Sequence, residues 1–463
     1  MIAPMPETTP LHIAVLAAGK GTRMRSRLPK VLQSLAGRPL LAHVLQRVAP
    51  LDAAAVHVVV SHEQERVRTA FADHMPPLEW IDQGEPRGTG HAVYQALKQI
   101  PDNARVLVTY GDVPRIPVTD LEACARGAGV TVLAAQVSDP SGYGRLILDG
   151  AGQLERIVEH KEATAAERAV DLINTGVLAA PAGDLRRWLA SCEPEPTGPR
   201  EWYLTDIVAV ARGQGRIIDV VRSCDPAAVL GVNDREQLAV QERLHQAEEC
   251  SRMMREGLAV ADPARLDVRG VLKFGQDCTI DVNVVIEGTV TLADDVYIGP
   301  GCVLRDCEIG SGTQIAAHSV LEGVRLGEAA NVGPFARLRP GTELGPGARV
   351  GNFVEIKNAT LGPGAKANHL TYVGDASVGA GANLGAGTIT CNYDGANKHR
   401  TEIGERAFIG SNTALVAPIR IGDDATVGAG STLSDDVEPR ALALTRARPR
   451  IIQDWPRPKK KSD

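Results

Sequence analysis

Aromatic rings are scarce in this chain, with 4 Trp, 7 Tyr and 5 Phe among 463 residues. That shortage excludes a core assembled mainly from large rings. Together with 47 glycines it favours small turns around a thin aliphatic interior. Paired cysteines are missing as well. The eight cysteines stand at 124, 192, 224, 250, 278, 302, 307 and 391 with no C-x-x-C spacing. This excludes zinc-ribbon and thioredoxin signatures and predicts free thiols in a reducing compartment. No run of 18 apolar residues occurs, so no membrane-spanning helix is expected. Met1 to Pro10 lacks the basic start and apolar run of a signal peptide, and a cytoplasmic location is expected. Positive charge is not in excess. Fifty Lys and Arg against 56 Asp and Glu give a net charge of −6, which leaves no global case for a nucleic-acid or membrane partner. The basic run Pro456 to Lys461 reads as a solvated tail.

What is present is a period. From Ile280 to Leu433 an aliphatic residue falls at about every sixth position, often followed by glycine. The register runs Leu326, Val332, Leu338, Leu344, Val350, Ile356, then Leu361, Val373, Val378, Leu384, and again Ile403, Ile409, Leu415, Ile421, Val427, Leu433. A six-residue period fits neither an amphipathic helix nor a half-buried strand. It fits a β-solenoid in which each hexad is a short strand and a turn, the aliphatic side chain pointing into a continuous core. A flexible glycine-rich linker would not keep a hydrophobic register. The polar stretch Thr390 to Arg400 interrupts the repeat, and a loop of that length on a regular coil is more often functional than accidental.

The first half alternates differently. Ile13–Ala18, Val56–Val60 and Arg105–Tyr110 read as apolar strands, and Gly90–Ile100 reads as a helix. The alternation predicts an α/β domain with a mostly parallel sheet, covered by helices on both faces, whose ligands bind beyond the carboxyl ends of the strands. Arg235 to Glu256 holds no glycine or proline and many charges. It predicts a long, mostly exposed helix, giving domains at 1–235 and 257–463 joined by a helical linker at 236–256.

The turn Leu16-Ala17-Ala18-Gly19-Lys20-Gly21-Thr22-Arg23-Met24 is neither a Walker loop nor a dinucleotide fingerprint. It is still a glycine-rich strand-to-helix turn whose N–H groups can cradle phosphate, and Arg23 and Lys30 add fixed positive charge. With Pro29-Lys30, Gly88-Thr89-Gly90-His91-Ala92 and Tyr110-Gly111-Asp112-Val113-Pro114, it resembles the sugar-nucleotide pyrophosphorylase family over residues 13–234. The resemblance implies a Rossmann-like nucleotidyltransferase domain. Leu16, Ala17, Ala18, Gly19 and Lys30 would grip a nucleoside triphosphate, and Gln83, Gly88 and Thr89 would read its base. Tyr110 and Gly111 would lie at the same nucleotide site. Gly144, Glu159 and Asn174 would hold sugar and ribose hydroxyls, and Asp112 and Asn233 would hold Mg²⁺. Trp202 stands where that family usually has tyrosine.

In the repeat, Asn368-His369-Leu370-Thr371-Tyr372-Val373-Gly374 puts a histidine inside the register, and Asn383 to Gly395 follows closely. With Arg337-Leu338-Arg339-Pro340-Gly341 and Gly351 to Lys357, these stretches resemble the acetyltransferase half of the bacterial bifunctional N-acetylglucosamine-1-phosphate uridyltransferase / glucosamine-1-phosphate N-acetyltransferase family. The resemblance covers nearly the whole chain. Acetyl transfer to an amine needs a base that titrates near neutrality, which suits His369. Arg339 and Lys357 suit a sugar phosphate as fixed cations. By resemblance, Tyr372, Asn383 and Asn392 hold sugar hydroxyls and Glu355 supports the amine. Asn392 also adjoins the acetyl-CoA groove, which Ala386, Tyr393, Ser411, Ala429 and Arg446 line. The same resemblance implies a left-handed parallel β-helix of hexapeptide repeats and a homotrimer. Its substrates would be UTP, glucosamine-1-phosphate, N-acetylglucosamine-1-phosphate and acetyl-CoA, and its product would serve peptidoglycan and lipopolysaccharide synthesis.

Two other readings compete. A single-activity nucleotidyltransferase with a structural or regulatory solenoid would not need His369 beside the Asn392-Tyr393 loop. A solenoid metal hydratase needs histidines converging across coils, and His318, His369 and His399 lack that spacing.

Overall fold

A computed structural model describes residues 9–19, 21–61, 64–195, 200–445 and 449–457. The chain divides into two compact units, Met1–His245 and Gln246–Asp463.

The first unit is built on a twisted sheet ordered Ile218–Arg222, Val130–Gln136, Leu172–Pro181, Arg105–Tyr110, Leu11–Leu16, Ala55–Val60, Glu79–Asp82. All neighbours in this order pair in parallel except Leu172–Pro181, which runs antiparallel to both of its partners. The central strands are aliphatic almost throughout because both faces are covered. Side chains alternate between the faces. Ile13, Val15, Val58 and Leu107 pack with Leu41, Val44 and Leu45 of helix Leu40–Val48. Ala14, Leu16, Val106 and Val108 pack on the other face with Val93 and Leu97 of helix Thr89–Leu97. The first strand ends at Leu16, so Ala17 and Ala18 belong to the turn that follows and not to the strand as expected. Leu11–Leu16 lies between Ala55–Val60 and Arg105–Tyr110. The chain therefore reverses its direction of travel across the sheet here, and a crevice opens at the carboxyl ends.

Helix Arg235–Arg255 matches the expected span. It is less exposed than its charge suggests, since Gln241, Gln246, Cys250 and Met253 are buried. The Gln246 amide donates to the Val268 carbonyl and accepts from the Val268 N–H, both at 2.9 Å.

The second unit is a parallel solenoid. One ladder holds eleven strands, and a second holds sixteen, its two arms joined through the long strand Val303–Ile309. Ile280, Ile298, Ile315, Val332, Val350, Ala367, Leu384, Ile409 and Val427 align on successive rungs, and all are buried. The other register positions form two more buried columns, so three hexads make one coil. Small buried residues satisfy the carbonyls where the chain turns. Ser319 donates to Ala316, Thr342 to Arg339, Thr371 to His369, Thr388 to Gly385, Thr413 to Gly410 and Ser431 to Gly428. Thr390 stands at an aliphatic position of the core, its hydroxyl shared with both backbone groups of Gly374. The expected excursion is shorter than the sequence suggests. Ile389–Cys391 is still strand, and the projecting segment runs from 392 to 400.

Candidate functional site

The crevice of the first unit holds most of the predicted residues. Leu16 and Tyr110 are register partners at the carboxyl ends of adjacent strands. The Gly111 N–H donates to the Leu16 carbonyl at 2.9 Å, which places Asp112 beside the glycine turn. Asn233 arrives from far along the chain because the Val232 N–H donates to the Asp112 carbonyl at 2.9 Å. Lys30 Nζ pairs with Asp112 Oδ2 and donates to Asn233 Oδ1 at 3.0 Å, and Arg23 Nη2 donates to the same oxygen at 3.0 Å. Lys30 and Asp112 are both mostly buried. Arg23 and Lys30 are thus tied to the acidic and amide oxygens, not free in the crevice.

Two cavities meet over this cluster. One, of about 330 Å³, is lined by Leu16, Ala17, Ala18, Gly19, Gln83 and Gly88 among others. The other, of about 440 Å³, is lined by Arg23, Gly144, Glu159, Asn174, Gly176 and Tyr203 among others. Thr89, Tyr110, Asp112, Glu201 and Asn233 belong to both. Gln83 donates to the Gly88 carbonyl at 3.0 Å. Gly88 has φ of 122° and lies against the Trp202 backbone, so no side chain fits there. Trp202 is buried, stacked on His91 at 5.9 Å, away from both cavities. It clamps the Arg87–Thr89 turn through Trp202 N–H to Arg87 and Gly90 N–H to Trp202. In the second cavity the Asn174 N–H donates to the Gly144 carbonyl at 2.8 Å, and the Thr205 hydroxyl donates to Glu159 at 2.9 Å. Burial pushes the Glu159 carboxyl above its ordinary range against the pull of the Thr205 bond, and Glu162, Asp206 and Glu201 add to the rise. Burial also raises the Tyr110 phenol, with Glu159 and Asp112 adding to it.

Asp112 and Asn233 supply two hard oxygens that converge on one cationic point, the Lys30 ammonium. Among the described residues no group of three or more His, Cys, Asp or Glu forms a metal cage. Such a pair fits a hard cation that takes its other oxygens from substrate phosphates and water.

In the solenoid, Asn352, His369, Ala386, Ser411 and Ala429 follow one another on successive rungs along one corner. His369 is exposed, and its Nδ1 lies 2.9 Å from Asn352 Oδ1. Arg339 donates to Glu355 at 2.9 Å, so the Glu355 carboxylate faces a guanidinium. Lys357 lies within hydrogen-bonding reach of Lys398, and that contact, with the charges of Lys398 and Arg339, pulls its ammonium below the usual lysine range. Three cations drawn together in this way have the chemistry to hold an anion. Lys398 was not singled out in the sequence. An antiparallel bridge between Tyr393 and Lys398 folds the projecting segment back and delivers it. The Asn392 amide donates to Asp375, and Asn358 donates to the other oxygen of that carboxylate at 2.6 Å. Burial raises the Asp375 carboxyl, but these two amides, with Lys398 and Lys357, bring it below its ordinary range. One of the two Asn392 amide N–H donors is therefore committed within the protein. Tyr372 is half-buried with its hydroxyl against Gly374, Asn383 is half-buried, and Tyr393 is exposed. Cys391 is half-buried. Arg446 lies outside the described residues.

Comparison with known proteins shows what these units are similar to. Residues 13–174 match the MobA-like NTP transferase domain, residues 268–363 the GMPPB C-terminal domain, and residues 400–435 the hexapeptide repeat of succinyl-transferase. The chain is 52% identical over 455 residues to the bifunctional protein GlmU of Alkalilimnicola ehrlichii, covering 98% of each chain. It is 51% identical to that of Xanthomonas axonopodis pv. citri over 98% of this chain and 100% of the relative. For that of Marinobacter nauticus the identity is 48% over the same shares.

Proposed function

The chain belongs to the bifunctional GlmU protein family, and from that premise we propose that each unit carries one reaction. The solenoid transfers the acetyl group of acetyl-CoA to the amine of glucosamine-1-phosphate. The first unit then transfers uridylyl from UTP to N-acetylglucosamine-1-phosphate and releases pyrophosphate. The observation that carries the uridylyl reading is the pair of cavities sharing Asp112 and Asn233; on this reading one takes the nucleotide, the other the sugar, and the reacting phosphorus lies between them.

In that unit the turn at 18, 19 and 21 offers backbone N–H groups to the phosphates, the Ala17 N–H being held by the Val59 carbonyl at 2.8 Å. Gln83, Gly88 and Thr89 hold the base, and Gly144, Glu159 and Asn174 hold hydroxyls on the other side. A sugar-phosphate oxygen attacks the α-phosphorus in line, and pyrophosphate leaves. Catalysis is mainly positioning and charge compensation. Arg23 and Lys30 offset charge on the phosphates. Asp112 and Asn233 would hold Mg²⁺, which when bound supplies further positive charge at the phosphate oxygens.

In the solenoid, His369 Nε2 takes the proton that the amine must lose before its lone pair attacks the thioester. Arg339, Lys357 and Lys398 hold the sugar phosphate. Ala386, Ser411 and Ala429 form the corner along which acetyl-CoA lies. We further propose a homotrimer. His318, Phe335, Phe353 and Leu370 follow one another on a neighbouring line of the same corner. The rings of His318 and Phe335 stack at 5.1 Å and those of Phe335 and Phe353 at 5.4 Å, and Phe335, Phe353 and Leu370 remain exposed. An exposed apolar line of this kind supports burial against other copies. The free thiols support a reducing, cytoplasmic setting. Among the described residues no helix is long and apolar enough to cross a membrane.

One incubation with glucosamine-1-phosphate, acetyl-CoA, UTP and Mg²⁺ tests the reading. CoA should appear without UTP, and pyrophosphate should appear only when acetylation has occurred or N-acetylglucosamine-1-phosphate is supplied. Pyrophosphate release with no CoA release would leave only the first unit's activity standing.

A further inference from the structure

We propose that Asn352 is the positioning residue of the acetyl-transfer base: its side-chain carbonyl accepts the Nδ1–H of His369 and fixes the tautomer that leaves Nε2 bare for the amine. This rests on His369 being the base.

The contact follows from the coil. Asn352 and His369 are register partners on strands Arg349–Asn352 and Lys366–His369, and partners in a parallel ladder project the same way. Most rungs of this ladder pair only two residues, whereas this one extends to the corner. Glycine permits that approach. A Cβ at Gly351 would strike the Asn368 carbonyl of the next coil. The His369 backbone is held as well, its carbonyl accepting from Thr371 at 2.7 Å. Imidazole, backbone and partner are therefore set before substrate arrives.

The partner's chemistry matters as much as its place. A carboxylate on Nδ1 would favour imidazolium and keep the base protonated to higher pH. An amide orients the ring without adding charge. Glu355, the carboxylate assigned by resemblance to support the amine, pairs instead with Arg339. His369 is left with a neutral acceptor on one nitrogen and an open lone pair on the other.

The test uses the full-length protein and two substitutions. Asn352→Ala should lower kcat for acetyl transfer about ten-fold or more, as expected when a base loses its orientation. KM for acetyl-CoA should stay within about two-fold. Asn352→Asp keeps an acceptor but adds charge, so the acid limb of the kcat/KM profile should move up by about one pH unit or more. ¹⁵N NMR of the His369 ring should show Nδ1 protonated and Nε2 bare in the native protein. Thermal midpoints monitor folding, and if the alanine variant does not fold, the aspartate profile and the native tautomer still decide. An unmoved acid limb in Asn352→Asp, or a bare Nδ1, overturns the proposal. His369→Ala with normal acetylation would instead overturn the reading on which it stands.

Discussion

In the first unit the hydrogen bond that closes the site, Lys30 to Asn233, spans 203 residues of chain. In the solenoid the bond that orients the base, His369 to Asn352, spans 17. A doubly covered sheet builds its site by topology, since strand ends from distant parts of the chain converge where the strand order reverses. A solenoid builds its site by repetition, since each coil contacts only its neighbours and a side chain meets the residue one coil away. The first kind of site depends on the whole sheet holding register. The second depends on two or three coils and one loop.

The contrast is sharpest in substitutions that hit one chemistry only. Asp112→Asn removes the charged oxygen shared by both cavities. Uridylyl transfer should fall about 10³-fold or more while acetyl transfer holds, as measured by pyrophosphate release beside CoA release on the same preparation. Equal loss of both would mean that the substitution acts through folding and that the sites are not separable.

His369→Ala should lower acetyl transfer by about 10²-fold. The residual rate should climb with pH, because the amine must then lose its proton to solvent. Uridylyl transfer should stay at its native level. Thiol release followed from pH 6 to 9 checks this, and a variant that keeps the native profile would remove the imidazole from the chemistry.

The smallest effect separates the units by acid. His57 and His43 are buried in the first unit, and burial lowers each imidazole from its ordinary value to about 4. His57 also lies 3.0 Å from His12. These groups are neutral when folded and take up protons more readily when unfolded. The stability they confer is present above about pH 6.5 and is lost as pH falls towards 4. In the solenoid His318 and His369 are exposed and His399 is half-buried. Calorimetry of the full chain at pH 7 and pH 5 should show the first unit's transition falling by roughly 5 °C, with the solenoid's moving less. A parallel fall in both would place the acid sensitivity elsewhere.

The hexad register was legible wherever the core residue is a large aliphatic, and not at Ala367 or Thr390, whose side chains carry no aliphatic signal although both are buried. Every aliphatic position named from Leu326 to Leu433 is buried, because a repeat writes its core into local spacing. The strand-to-turn motif around Gly19 and the strand end at Asp112 were legible for a related reason: apolar runs ending in glycine mark where a parallel sheet opens. Their edges were less clear. Ala17 and Ala18 are as apolar as strand residues, and only pairing shows that they belong to the turn.

By itself, then, the sequence determined the two architectures, the large aliphatic residues of the core columns and the motifs of each site, since all of these are set by spacing along the chain. The tertiary structure alone decided which side chains meet. It brought Lys398 to Lys357 through a folded-back loop, paired Arg339 with Glu355, committed Asn392 to Asp375 and set Asn352 against His369. Those contacts depend on how far each coil advances and where its corner falls, and a one-residue change in coil length would shift the partners while leaving the hydrophobic register readable.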